Sequence, residues 1–319
     1  MTKSRRSRLG IGALMIGIPA AAAAMAAGQA FAAPAQAPLH INSSSGRIAY
    51  GRNVVVTGAE SSSHTGHTVV LEFARRGATV WSQLGSATVD GAGAFQVAAR
   101  LDQSGLVRVL DASSGSVTAF VAHARGNRSG GAATSAPVPV DVAARIRVPS
   151  RGINVLAGQA VQVRGWLLPA ARGRKVSLQA RRSGSWHTLA TARTGSAGRF
   201  VLRYVAGSAG QQPIRVRFAG DRLNAGSITG PGQLTVFRAA EASWYNDGGN
   251  TACGFHAGDG VANRTLPCGT TVVFRYGGRT VTATVDDRGP FAGGRDWDLN
   301  QNTAAALGFR GVGQVWSSR

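Results

Sequence analysis

Residues 271–309 read TVVFRYGGRTVTATVDDRGPFAGGRDWDLNQNTAAALGF, and their pattern decides the fold of the C-terminal part of the chain. Val272, Phe274 and Tyr276 alternate with polar residues, Gly277-Gly278 turns the chain, and Val281, Ala283 and Val285 alternate with Thr280, Thr282 and Thr284. Successive side chains of a strand face opposite sides, so two such runs around a glycine pair predict a β-hairpin. Continued past Val285, the alternation puts Asp286 on the threonine face and Asp287 on the apolar face. The expectation is a solvated Asp286, and an Asp287 desolvated at the rim of a core with the raised pKa of a general acid. Two further aspartates, Asp296 and Asp298, flank Trp297. Trp297 is expected in the core and Asp296 on the surface. The helix that follows has two candidate caps. One is Asp298, in a capping box with Gln301; the other is Asn300, which leaves Asp298 free.

These carboxylates stand in a basic chain. Its 319 residues carry a formal charge of +21, nearly all of it on arginine, since Lys3 and Lys175 are the only lysines. Residues 33–238 hold 24 basic and seven acidic residues, whereas residues 239–319 hold seven of each. The basic character therefore belongs to the first two-thirds. A surface of that kind suits an anionic polymer. No nucleic-acid-binding motif accompanies it, so nucleic acid is not expected as a partner.

The chain opens on MTKSRRSRLG, continues as an apolar, alanine-rich run and reaches Ala30-Phe31-Ala32. That order predicts a secretory signal peptide over residues 1–33 and a secreted or cell-wall-associated product. Pro19 and the small residues argue against a retained membrane anchor. In an oxidising compartment the only two cysteines, Cys253 and Cys268, are expected to form a disulfide. Closing a loop of about 15 residues stabilises by roughly 3 kcal/mol in the chain-entropy model. Two isolated cysteines make a poor metal site.

An internal repeat fills the basic part. Val54, Val56, Gly58, Gly66, Val69 and Leu71 match Val161, Val163, Gly165, Gly173, Val176 and Leu178 at one offset, and Trp81, Leu84, Ala87, Gly93 and Phe95 match Trp186, Leu189, Ala192, Gly198 and Phe200. Short alternating runs separated by glycine and serine predict antiparallel β-sandwiches, one per copy, at 40–123 and 144–238. The pattern resembles bacterial Ig-like surface domains, with Trp81 and Trp186 expected in the cores. Residues 124–143 read as a Gly/Ala/Ser/Pro linker. His64 and His67 form an HxxH, but the sequence shows no acid beside them, so no metal site is expected there.

From Glu241 the texture changes. The segments ASWY (242–245), TACG (251–254), GVANRTLPCGT (260–270), VDDRGPF (285–291) and WDLNQNTAAALGF (297–309) resemble, in order, the RlpA-like double-psi β-barrel family, which is related to expansins. The fold this implies for residues 239–319 is a closed six-stranded barrel with a short helix, making the whole chain mainly β. The function it implies is binding and remodelling of peptidoglycan or another cell-wall polymer, in some members by lytic transglycosylation. That reaction uses one acid to protonate the glycosidic oxygen, after which a hydroxyl of the substrate closes an anhydro ring; no metal or cofactor is implied. Carried over by position, Asp287 and Asp298 become the candidate catalytic pair. Thr251 and Asn263 join Trp244 and Tyr245 as candidate substrate-binding residues, although for Trp244 and Tyr245 a core role stays equally open. Asn263 stands where transglycosylase members carry a histidine, and the segment after TACG holds no glutamate; His256 and Asp259 are the titratable residues nearby. The alternative is therefore a non-catalytic, expansin-like wall-binding or wall-loosening protein.

Overall fold

The structure, a computed structural model, describes residues 39–43, 46–113, 133–149, 152–229 and 232–319. The predicted signal segment and residues 124–132 of the predicted linker lie outside the described residues.

The first unit contains β1 (His40–Ser43), β2 (Arg47–Ala49), β3 (Asn53–Ala59), β4 (Thr68–Arg75), β5 (Ser82–Thr88), β6 (Ala94–Arg100), β7 (Gly105–Asp111) and β8 (Val138–Ala143). One sheet has the order β1-β3-β6; the other pairs β4 with β5 and β7, and β7 with β8. Their apolar faces meet in one core that includes Val54, Val56, Val69, Leu71, Phe95 and Val109. The valines that alternate in the sequence are thus the ones removed from water, the main favourable term in folding. Residues 138–143, read above as the end of a linker, are instead strand β8. Val140 and Val142 alternate into this core and are fully buried.

The second unit repeats the plan with β9 (Arg145–Arg147), β10 (Gly152–Leu156), β11 (Ala160–Leu168), β12 (Lys175–Arg182), β13 (Ser185–Arg193), β14 (Arg199–Val205), β15 (Gly210–Gly220), β16 (Ala225–Ile228) and β17 (Gly232–Tyr245). Val161, Val163, Val176, Leu178 and Phe200 line its core. Trp81 and Trp186 are not core residues. Each is half-buried beneath a guanidinium, with Arg108 Cζ 4.0 Å from the Trp81 ring and Arg215 Cζ 4.0 Å from the Trp186 ring. Both tryptophans thus lie at the surface of their sheets, each covered by a guanidinium.

Strand β17 joins the second unit to the barrel without a linker. Its first part pairs with β10 and β15, and from Arg238 onward it pairs with β22 (Gly313–Ser317). The barrel adds β18 (Gly260–Ala262), β19 (Thr271–Tyr276), β20 (Arg279–Asp287) and β21 (Trp297–Asn300). The order β21-β18-β20-β19-β22-β17, with β21 also paired to β17, closes a ring of six strands among the described residues. Phe274, Ala283, Val285, Trp297 and Leu299 fill it, with Phe274 edge-on to Trp297 at 5.1 Å. Helix α1 (Gln301–Leu307) seals one end; Asn300 caps it by accepting the Thr303 amide at 2.9 Å, and Gly308 closes it in the left-handed region at φ 69°. Cys253 and Cys268 form the expected disulfide. Among the described residues no helix is long and apolar enough to cross a membrane.

Candidate functional site

The site begins with an irregularity in β20. Strand β18 pairs in parallel with β20 as Gly260↔Thr284 and Val261↔Val285, but the next partners are Ala262 and Asp287. Asp286 is the extra residue of a β-bulge, which resets the alternation of everything after it. The surface position expected for Asp286 is therefore wrong. Asp286 is fully buried, and its carboxylate accepts the amides of Ala257 at 2.8 Å and Val261 at 3.1 Å. A Cβ at position 260 would collide with that carboxylate, so glycine is required there. Burial pushes the Asp286 carboxyl up, against the pull of its backbone hydrogen bonds.

The bulge also sets Asp287 opposite Ala262. On the other side of β18, Ala262 pairs with Asp298 of β21, and Asp298 pairs with Ser243 of β17. Residues paired across strands share a face, so Ser243, Asp298, Ala262 and Asp287 form one row across four adjacent strands. Neighbouring strands lie about 4.8 Å apart, which puts the Asp287 and Asp298 backbones about 10 Å apart across the row.

The two aspartates differ in their partners. Oδ1 of Asp287 accepts the amides of Ala252 at 2.7 Å and Arg288 at 2.8 Å, and no hydrogen bond from a described residue reaches Oδ2. The Arg288 side chain turns away to the carbonyls of Asn263 and Leu266. Oδ1 of Asp298 accepts the buried Ser243 hydroxyl at 2.7 Å. Burial pushes the Asp298 carboxyl up; the Ser243 hydrogen bond and the charge of Arg295 oppose this, and the charge of Asp287 adds to it. Because Asn300 caps α1, Asp298 is not needed as a cap. Asp296 is half-exposed and accepts the Glu241 amide at 3.0 Å while pairing with Arg238 at 3.3 Å, which braces β17 where it enters the barrel.

Alternation along β17 places Tyr245 on the Ser243 face. Its hydroxyl is buried and has no hydrogen-bond partner among the described residues. Burial and the charges of Asp286, Asp287, Asp247 and Asp298 push its pKa well above that of an ordinary phenol. The hydroxyl therefore stays protonated, a buried donor among carboxylate charges. Trp244 is 46% exposed, so it is not core and offers a ring face to solvent. Thr251 and Asn263 are occupied locally. The Thr251 hydroxyl donates to the Phe255 carbonyl at 2.6 Å, and Asn263 Oδ1 accepts the amides of Thr265 and Leu266 while its amide nitrogen reaches the Asp296 carbonyl. His256 is exposed and lies 3.8 Å from Asp247, and Asp259 is exposed. Sequence reasoning named Tyr245 but missed Ser243; the ASWY motif contains Ser243, but only the strand register reveals its pairing with Asp298.

Two further features lie in the sandwiches. An open cavity of about 800 Å³ on the second unit is lined by Arg172, Lys175, Arg193 and Arg217, with the Arg174–Asp221 pair at its base. In the first unit the expectation that no acid neighbours His64 and His67 is corrected. The fold brings Glu60 Oε2 to 3.6 Å from His64 Nδ1, and Asp111 Oδ2 to 3.1 Å from His67 Nδ1. Asp111 lies 44 residues from His67, a contact no local pattern reveals.

With this geometry in hand, comparison with known proteins is informative for the barrel. Residues 238–316 match the family model described as lytic transglycolase. A probable endolytic peptidoglycan transglycosylase RlpA of Synechocystis sp. is 42% identical over 84 residues, which is 23% of this chain. The match spans 26% of that relative's length. A solved structure titled for T cell specificity and activation by the superantigen toxic shock syndrome toxin-1 aligns with 29% of this chain and 98% of its own at 14% identity. Its TM-score of 0.25 carries no argument. The closed six-stranded ring and the family match agree: residues 238–316 form an RlpA-like double-psi β-barrel domain.

Proposed function

We propose that this is an exported cell-wall protein whose barrel binds peptidoglycan glycan and cleaves it by general acid catalysis from Asp298. The observation that carries the reading is the row Ser243–Asp298–Ala262–Asp287, in which burial makes Asp298 hold its proton more tightly than an ordinary carboxylate. The activity printed for the Synechocystis relative supports the substrate class. In this reading Asp298 protonates the glycosidic oxygen as the bond to the sugar breaks. A hydroxyl of the same sugar then attacks the anomeric carbon and returns its proton to the Asp298 carboxylate, which leaves an anhydro end. Asp287 faces the positive charge that develops on the ring. The Tyr245 hydroxyl donates to a sugar oxygen, and the exposed face of Trp244 stacks on a sugar ring. The two sandwiches, which we read as Ig-like spacers, present the basic cavity to anionic wall polymer.

A second reading, non-catalytic wall loosening, is favoured by one observation. Asn263 holds the place where the resemblance expects histidine, and its amide is committed to a turn. Incubation with isolated peptidoglycan, followed by mass spectrometry, separates the two. Anhydromuramyl ends from the wild-type protein and none from Asp298→Asn support cleavage. Sedimentation with the wall but no such ends supports loosening alone. Neither binding nor ends contradicts both readings.

A further inference from the structure

We propose that Glu60, His64, His67 and Asp111 of the first sandwich form a binding site for a divalent transition ion, zinc by its ligand chemistry. Glu60 follows β3, His64 ends a single 3-10 turn at Ser62–His64, His67 precedes β4, and Asp111 ends β7. One ligand atom from each lies within 4.8 Å of all the others. Zinc holds nitrogen and oxygen ligands at about 2.0–2.1 Å in a tetrahedron, whose edges are then about 3.4 Å. Two edges already bracket that length, His67 Nδ1 to Asp111 Oδ2 at 3.1 Å and His64 Nδ1 to Glu60 Oε2 at 3.6 Å. The remaining closure falls to His64 and His67, whose rings stack at 4.6 Å and whose side chains are 26% and 30% exposed, which leaves a path for an ion.

Three observations point to a ligand rather than a packing detail. The Glu60 side chain is only 3% exposed, and its Oε2, like His64 Nδ1, is buried with no hydrogen bond among the described residues. The two atoms face each other 3.6 Å apart, too far for a hydrogen bond, and a cation between them supplies the close partner that each lacks. The Ser113 amide holds Asp111 Oδ1 at 2.9 Å, the kind of outer support that orients a ligating carboxylate. The repeat supplies a control. In the second sandwich Leu167 takes the place of Glu60, with the same amide bonded to the matching glycine carbonyl, and Phe218 takes the place of Asp111, opposite Val176 as Asp111 is opposite Val69. Ala171 and Arg174 fall at the two histidine positions, and Arg174 stacks on Phe218 at 4.6 Å. The second copy fills that end with Leu167, Phe218 and the buried Arg174, which pairs with Asp221, so nothing in the fold itself demands four ligand groups in the first copy. Two imidazoles and two carboxylates suit zinc and its first-row neighbours better than calcium, which prefers an all-oxygen shell.

The test titrates zinc into the tag-free exported chain by calorimetry, with metal content read after dialysis. The expected result is about one zinc per chain and a melting temperature that rises with zinc, as linkage requires. Glu60→Gln and His67→Ala should each weaken binding at least about tenfold. Unchanged affinity in both variants, or no binding by the wild type, overturns the proposal. If a variant fails to fold, the imidazole nitrogen resonances of the wild-type protein decide. Zinc-dependent shifts at His64 and His67 support the site, and shifts confined to His187 or His256 overturn it.

Discussion

The sandwiches and the barrel treat their carboxylates in opposite ways. In the sandwiches Glu72 pairs with Arg108 at 2.8 Å, Asp221 with Arg174 at 2.8 Å, and Asp141 with Arg76. In the barrel Asp286, Asp287 and Asp298 form no ion pair among the described residues; backbone amides and the Ser243 hydroxyl hold them instead. A carboxylate neutralised by a fixed guanidinium has no proton to give. One that is desolvated holds its proton more tightly than an ordinary carboxylate does, and that is the property a general acid uses. The difference sets the Arg-paired carboxylates of the sandwich sheets apart from the amide- and hydroxyl-held carboxylates of the barrel row; Asp296, paired with Arg238, follows the sandwich pattern.

The sharpest way to break this contrast is Asp298→Asn. If the barrel acids do chemistry, release of anhydro ends should fall by about 10²–10⁴-fold while the fold persists; product assays beside circular dichroism would read both. Next comes the sandwich side. Arg108→Ala strands the buried Glu72 and should lower stability by about 3–5 kcal/mol in denaturant titration. The matching Arg215→Ala leaves only the neutral Gln179 without its 2.9 Å partner and should cost about 1 kcal/mol. Equal losses would mean that the Glu72 pair is not what matters. Within the barrel, Asp286→Ala leaves the Ala257 and Val261 amides unpaired and should cost about 2–4 kcal/mol by the same titration.

The smallest effect concerns pH. Since burial raises the Asp298 pKa in the folded chain, the folded state binds this proton more tightly than the unfolded state. The resulting loss of stability is absent below the unfolded value of about 3.9 and grows as pH rises from there to the folded value. Asp298→Asn should accordingly melt at or slightly above the wild-type temperature at pH 7, and the gap should close near pH 3.5. A variant that melts well below the wild type at pH 7 would make Asp298 a structural brace.

Much of this was legible in the residues. The run Val272 to Val285 alternates as a hairpin must, and its apolar face is the barrel core. The paired glycines and valines of the repeat identify the sandwich cores. What escaped has specific physical causes. A period of two carries no sign of an extra residue, so the bulge buried Asp286, which the alternation had placed in water. Trp81 and Trp186 read as core because a stacked arginine from a distant strand leaves no local trace. Asp111 reaches His67 only through the pairing of β4 with β7. The boundary read at 238/239 lies where β17 changes partners, but that one strand crosses it was not legible, because a strand serving two cores alternates as one strand does.

The central claim is that Asp298, within the row it shares with Asp287, holds its proton more tightly than an ordinary aspartate. Carboxyl carbon NMR, with Asp298 assigned by comparison with Asp298→Asn, measures this directly across pH 2 to 9. A titration midpoint for Asp298 clearly above the ordinary aspartate value of about 3.9 is the predicted result. A midpoint at or below that value would contradict it.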